Sequence, residues 1–316
     1  MRHVRHTAAD KPLDRIAIFV IYAEVLDANH RRTLTALHGA GYAVALVNNK
    51  SFRNPESLPQ EAAFVIESHN VGRDIGAYIR AVRSLQASGA LLERTRILFL
   101  NDSVVYLPGM DAVFATMAAA PEDWIGTTES RQGGHYLNSW CFQLSAAVVR
   151  GDAFARWAGR FAFLANRVYL IRAGEIRLTR MLLAAGVRPR VLFGSDFWAG
   201  LCDQIARSDH VVARIIPRNL GELYPKREHA ERFLHKANQT HLFTFPGVAF
   251  GVFPFVKKDL YYRDVFSQEH VELLCAEIAT HHGQKIATEC RQSLLGRGDG
   301  GALSGWAGLR WRLGID

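Results

Sequence analysis

Cysteine is scarce in this chain. Its four cysteines in 316 residues, Cys141, Cys202, Cys275 and Cys290, form none of the close-spaced pairs that zinc sites and redox motifs require. That spread suits a reducing compartment, and a cytoplasmic location is expected. No window reaches about 18 uninterrupted apolar residues, and the segment from Met1 to Arg15 carries charge and histidine where a signal peptide has its apolar stretch. Neither a membrane span nor a leader is expected, so any membrane contact would be peripheral. Also missing are a Ser-His-Asp order, a nucleophile elbow, a P-loop and any internal repeat. Charge of one sign is in only mild excess, 38 Lys and Arg against 30 Asp and Glu, a net +8. With 49% hydrophobic and 22% charged residues, the composition excludes disorder and collagen-like repeats and is sufficient to bury a core. The length suits about two domains, or one α/β domain with an appendage.

What charge there is sits in one place. Between Arg150 and Arg190 the arginines are 150, 156, 160, 167, 172, 177, 180, 188 and 190, and the only acids are Asp152 and Glu175. Read as a helix from about Gly151 to Asn166, this stretch puts Arg156, Arg160 and Arg167 on one face, interleaved with Trp157, Phe161 and Phe163. Such a pattern suits an anionic surface, whether lipid headgroup, phosphate or nucleic acid, although a solvated helix face reads the same way.

The first half alternates strand and helix. Arg15–Tyr22 is an apolar run rich in β-branched residues and too short for a helix, and it reads as a buried parallel strand. A helix over about Asp27–His38, strands at Ala43–Val47 and Ala62–Glu67, a helix over Asp74–Ala87 and a strand at Arg96–Leu100 follow. This rhythm predicts an α/β fold with a doubly wound, mostly parallel sheet, and ligands in such sheets bind at the carboxyl ends of strands. The loops after Glu67 and Leu100 are therefore the expected site. Further on, the pattern predicts a helix over Met110–Ala119, strands at Trp124–Thr128 and Leu137–Leu144, a helix over Glu175–Ala185 closed by Gly186, and a helix from Gln268 to about Thr280. The expected divisions are an N-terminal tail (1–14), a main domain (15–213), a helical or irregular C-terminal extension packed on it (214–295) and a loosely ordered tail (296–316).

Four segments can carry chemistry. In Asn70-Val-Gly72-Arg73-Asp74, Gly72 permits a tight turn, Asp74 can cap the helix, and Arg73 beside free backbone N–H groups suits a phosphate. Asn101-Asp102-Ser103 ends a strand, where a carboxylate between two small polar side chains can hold a divalent cation bridging a diphosphate. Glu175 opens a helix and can serve as a general base that nearby arginines keep ionised. In Gly133-Gly134-His135-Tyr-Leu-Asn-Ser139-Trp140, His135 is a possible ligand or base. Each segment also has a purely structural reading, as a turn, a cap or a satisfied histidine.

Taken together and in this order, these segments resemble the rhamnan synthesis protein F family of polysaccharide glycosyltransferases. The resemblance rests on residues 70–78 (NVGRDIGAY), 98–104 (LFLNDSV), 123–128 (DWIGTT), 135–140 (HYLNSW), 175–186 and 254–260 (PFVKKDL), and spans about 15–262. It implies a GT-A nucleotide-diphospho-sugar transferase fold. It also implies donor binding by Asn70, Arg73, Asp74, Asn101, Asp102 and Ser103 and a base at Glu175. Beside these, Gly72 is expected in the donor site, His135 is a weaker catalytic candidate, and Ser139 and Trp140 are expected on the acceptor side. Asn101-Asp102-Ser103 stands where the family type has Asp-x-Asp. The one remaining carboxylate, Asp102, would hold Mg²⁺ or Mn²⁺ weakly, and arginines offer another way to neutralise a leaving diphosphate.

The function implied is transfer of a sugar, rhamnose by the resemblance alone, from a nucleoside-diphosphate donor to a lipid-linked saccharide at an anionic membrane surface. A degenerate member that binds nucleotide or glycan as a scaffold is the alternative. Nucleic acid is not an expected partner, because no recognised domain motif accompanies the basic stretch.

Overall fold

The computed structural model describes residues 2–6, 13–54, 58–131, 134–215, 238–261 and 265–295. The expected tail at 296–316 and Gly133 lie outside these residues. The chain is an α/β protein whose central nine-stranded sheet is mixed and mostly parallel, compatible with double winding. Its strands begin with β1 (Arg2–His6), β2 (Arg15–Ile21), β3 (Ala43–Asn48), β4 (Ala62–Glu67) and β5 (Arg96–Asn101). The first helices are α1 (Ala28–Gly39) and α2 (Arg73–Ala87).

Strand β2 shows why the chain winds both ways. Successive side chains of a strand point to opposite faces, so Ala17, Phe19 and Ile21 join one core with Leu34 and Leu37 of α1, while Ile16, Ile18 and Val20 join another with Ile75, Ile79 and Val82 of α2. Both faces of β2 are covered, which is why its sequence is a continuous apolar run rather than an alternating one.

Beyond β5 come β6 (Val104–Tyr106), α3 (Met110–Ala119), β7 (Trp124–Ser130), β8 (Tyr136–Leu137) and β9 (Cys141–Ser145). The strand expected at Leu137–Leu144 is thus two strands separated by a turn at 138–140. The large sheet runs β1-β4-β3-β2-β5-β9-β7-β10, where β10 is Arg190–Phe193, and β8 is its ninth strand, paired with β7 off this path. Pairing is parallel from β4 through β5 and between β7 and β10, and antiparallel where β1 joins β4 and where β9 joins β5 and β7.

Several boundaries depart from expectation. Residues 2–6 of the expected tail add β1 to the edge of β4. The basic helix is two short pieces, α4 (Ala146–Arg150) and α5 (Asp152–Gly159), and Arg160 caps the end of the second. Trp157 and Phe161 are buried in the core, so the aromatic interleaving belongs to packing and not to a surface. The next helix starts at α6 (Arg167–Tyr169), widens to a π-helical turn over Leu170–Ile176 and continues as α7 (Arg177–Ala184). Glu175 therefore lies inside a helix, not in its first turn, and the macrodipole argument for it does not apply. Strand β10 and α8 (Ser195–Arg207) had no clear sequence pattern.

The C-terminal segment shares the main core. Leu242, Phe243, Phe253 and Phe255 belong to the same buried cluster as Phe19, Leu98 and Trp198. Strand β11 (Phe255–Lys257) pairs antiparallel with β6, and the Phe255 ring sits 4.1 Å from Trp140 and 3.6 Å from Phe253 between centroids. Two antiparallel helices, Gln268–His282 and Gln284–Leu295, close a third cluster over Val105 and Leu107. Among the described residues no helix is long and apolar enough to cross a membrane. Because Phe255 joins extension to sheet, Phe255→Ala is expected to lower stability by about 3–5 kcal/mol in a single urea transition followed by tryptophan fluorescence. Two separate transitions would show that the extension folds independently.

Candidate functional site

From β2 the chain lays β3 and β4 on one side, then returns to place β5 on the other, so the order reverses between β2 and β5. A crevice at such a reversal, beyond the carboxyl ends of the strands, is where open α/β sheets bind ligands. Here Tyr22 follows β2 and Asp102 follows β5. Both line a cavity of about 260 Å³ together with Asp27, Asn29, His30, Lys258 and Glu289.

One wall is an electrostatic chain. Asp27 precedes α1 and caps it, accepting from the His30 backbone at 2.8 Å. The His30 ring stands between two carboxylates, with Nδ1 2.9 Å from Asp27 and Nε2 3.4 Å from Asp102. Burial pushes His30 down, but its bonds to Asp102 and Asp27 outweigh burial and raise it, and the same contacts hold Asp27 far below the usual carboxylate range despite its own burial. Asp102 also accepts from the Tyr22 N–H at 3.4 Å.

On the other side of the same turn lies a cluster assembled from distant segments. Asn101 donates through Nδ2 to Asp74 Oδ2 at 2.6 Å, and its Oδ1 accepts from the Ser103 N–H at 3.0 Å. Glu175 Oε1 accepts from the Ser139 N–H at 2.8 Å, while the Ser139 carbonyl accepts from the Tyr78 hydroxyl at 3.0 Å. Lys257 donates to the Ser103 hydroxyl at 3.3 Å. Burial raises both Asp74 and Glu175; each is lowered in part by its backbone bonds and by Lys257, and Asp74 pushes Glu175 further up. The arginines expected to keep Glu175 ionised do not govern it. Arg172, Arg177 and Arg180 are exposed, whereas Leu170, Ala173, Gly174, Ile176 and Leu178 on the same helical segment are buried. A carboxyl raised toward neutrality is suited to taking a proton at physiological pH.

Two local devices aim Glu175. A π turn leaves carbonyls without their usual helical partners, and the Trp157 indole N–H donates to those of Ala173 at 2.8 Å and Gly174 at 3.1 Å. Gly174 lets this helix press on α2, since a Cβ there would lie 3.1 Å from Ile75 Cγ1. The start of α2 is equally constrained. Gly72 is left-handed (φ +75°), and so is Arg73 (φ +48°), an uncommon conformation for a residue with a side chain. A Cβ on Gly76 would come within 2.6 Å of the Val71 carbonyl oxygen. Arg80 ties the preceding turn with bonds to the Ser68 hydroxyl at 2.7 Å and to the His69 and Val71 carbonyls, both at 2.8 Å.

The expected site residues divide accordingly. Asp74, Asn101, Asp102, Ser103, Ser139 and Glu175 come together. Asp74 does not cap α2; Gly72 occupies the cap, and Asp74 lies inside the first turn. Asn70 is exposed on the turn, with Arg73 half-buried beside it. His135 bonds to Glu129 at 2.7 Å, and Glu129 also accepts from the Ser195 N–H and hydroxyl at the start of α8, which makes the group a clasp between β7 and α8. Trp140 is a core residue, 2% exposed, donating to the Thr128 hydroxyl at 2.9 Å. Sequence reasoning missed Asp27, His30, Arg80 and Lys258. Of these, only Asp27 with His30, a cap spaced three residues from its partner, left a readable signal.

The side chains of the Asn101-Asp102-Ser103 turn do not fit a divalent cation. Asn101 is consumed by Asp74 and the Ser103 N–H, the Ser103 hydroxyl accepts from Lys257, and Asp102 faces the His30 ring. No cluster of three or more potential His, Cys, Asp or Glu ligands occurs among the described residues.

Comparison with protein-family models yields no match, and no curated protein matches the chain.

The raised Glu175 gives a stability test. Its folded proton affinity exceeds that of the unfolded chain, which titrates near about 4.3, so its contribution favours folding below that pH and is lost as pH rises through the raised value. Glu175→Gln, whose amide oxygen can still accept from Ser139, is expected to raise the urea midpoint at about pH 8 and to leave it unchanged at about pH 4. An equal effect at both would mean that the carboxyl is not held above its ordinary range.

Proposed function

We propose that the chain is a glycosyltransferase of GT-A type, moving a sugar from a nucleoside-diphosphate donor to a lipid-linked saccharide with inversion at the anomeric carbon. The observation that carries this reading is the convergence of Asp74, Asn101 and Glu175, from three separate segments, on one side of the Asn101-Asp102-Ser103 turn, whose Asp102 lines the cavity at the β2/β5 reversal. A half-buried carboxyl raised toward neutrality suits deprotonation of a hydroxyl, and the pocket across the turn, rimmed by an exposed Tyr22, suits a nucleotide. In the proposed step the acceptor oxygen attacks the anomeric carbon as the bond from that carbon to the diphosphate oxygen breaks. The hydroxyl proton passes to Glu175, and the departing electron pair goes to the diphosphate, near the N–H groups opening α2 and Arg73. Rhamnose as the donor sugar rests on the resemblance alone.

Glu175→Gln is expected to lower nucleoside-diphosphate release by about 10²–10⁴-fold while donor binding, measured by calorimetry, survives. Unchanged turnover would remove Glu175 from this role. The scaffold reading draws support from the fully engaged Asn101 and Ser103 side chains, and it would prevail if nucleotide bound but no donor in a panel of nucleotide sugars turned over with a lipid-linked acceptor.

A peripheral position on the inner face of a membrane belongs to the same proposal. Arg172, Arg177 and Arg180 line the exposed side of the helix that carries Glu175, and Leu164 and Val168 near its start are 53% and 45% exposed. Neutralising these three arginines to glutamine is expected to weaken binding to phosphatidylglycerol vesicles by about 1 kcal/mol per charge, with no change on neutral vesicles. Equal sedimentation of both proteins with anionic vesicles would leave the arginines as a solvated face.

A further inference from the structure

Two consecutive lysines of the C-terminal segment flank the Asn101-Asp102-Ser103 turn. Strand β11 pairs Lys257 opposite Val104, and the Lys258 N–H donates to the Ser103 carbonyl at 2.9 Å, which fixes both lysines against the turn. Adjacent residues of an extended chain project to opposite sides. Lys257 accordingly reaches the Ser103 hydroxyl and acts on Asp74 and Glu175, whereas Lys258 lines the cavity with Tyr22, Asp27, His30 and Asp102.

Lys258 is the unusual one. It is only 4% exposed, yet its ammonium makes no hydrogen bond or ion pair among the described residues. The carboxylates around the cavity make their direct contacts elsewhere, Asp27 and Asp102 with His30, and Glu289 with Arg32 at 2.5 Å, although Asp27 also feels the Lys258 charge through space. An ammonium that opens on a cavity with no hydrogen-bonded partner among the described residues is placed to meet the negative charge of a ligand. The motif between the two lysines offers a divalent cation no free set of oxygens.

We propose that this site binds the diphosphate of its ligand without a metal ion, Lys258 from the cavity side and Lys257 from the Asp74 side supplying the positive charge that a divalent cation would otherwise bring. The inference rests on the nucleotide-sugar reading and gives that reading its electrostatics: the charge on the leaving diphosphate is met by two ammonium groups positioned by β11.

The test is calorimetric titration of the full chain with UDP, dTDP, GDP and inorganic pyrophosphate, each in EDTA and again in Mg²⁺. At least one nucleoside diphosphate is expected to bind in EDTA within about threefold of its affinity in Mg²⁺. Lys258→Met is expected to weaken it by about tenfold or more, Lys257→Met to weaken it as well, and Lys258→Arg to retain most of it. Thermal melts of each variant separate a lost contact from a lost fold; should Lys258→Met fail to fold, the EDTA comparison and Lys257→Met decide. Binding that requires Mg²⁺, or that is unchanged in a folded Lys258→Met, overturns the lysine proposal and leaves the nucleotide-sugar reading standing. Failure of every nucleoside diphosphate to bind under both conditions overturns both.

Discussion

The parallel pairing of β2 with β3 on one edge and β5 on the other is the constraint on which the remaining arrangement depends. It covers both faces of β2 with helices, and it opens a crevice where the two neighbouring connections diverge. Every group in the candidate site is placed with respect to that crevice. The start of α1 brings Asp27 and His30, the exit of β5 brings Asn101 to Ser103, and the start of α2 returns across β3 and β2 to set Asp74 against Asn101. Strand β11 then lies on β6, immediately after the same turn.

The electrostatics of the crevice follow from this crowding. Two carboxyls, Asp74 and Glu175, are raised by burial, and a third, Asp27, is held low by an imidazole. Groups whose surroundings push their proton affinities apart are the arrangement from which acid, base and fixed charge can be assigned different tasks. Lys257 sits among the raised carboxyls, and Lys258 faces the cavity. The same backbone that orders the C-terminal segment through Phe255 therefore also sets the charge of the site. Stability and the proposed chemistry are coupled through one short strand.

Glu175 shows how a position can be legible as a residue and illegible as a geometry. Its isolation among arginines marks it in the sequence, but the reasons inferred for its state, a helix start and neighbouring cations, are not those the fold supplies. The helix begins eight residues earlier, at Arg167, and the π turn rotates the carboxyl inward, held by an indole from α5 and by a glycine pressed on Ile75. Trp157 had the look of a surface aromatic because its neighbours are arginines. Its indole N–H is instead the partner of the carbonyls that the π turn releases. Such pairings join residues distant in sequence, and local periodicity does not encode them.

The sequence by itself determined the elements from β2 to β5 and the helix α3, though not β6 between them, because buried parallel strands must be continuous apolar runs and their helices must carry a 3.6-residue stripe. It also marked Asp74, Asn101 and Asp102 as polar groups at the ends or turns of those elements, and Glu175 as an isolated acid among arginines. Only the tertiary structure decided that β9 enters the sheet antiparallel, that Trp140 and His135 serve packing and a clasp, and that Lys257 meets Ser103 across a separation of 154 residues. Those outcomes depend on which surfaces exclude water together, a property of the assembled layers that no local window of the chain contains.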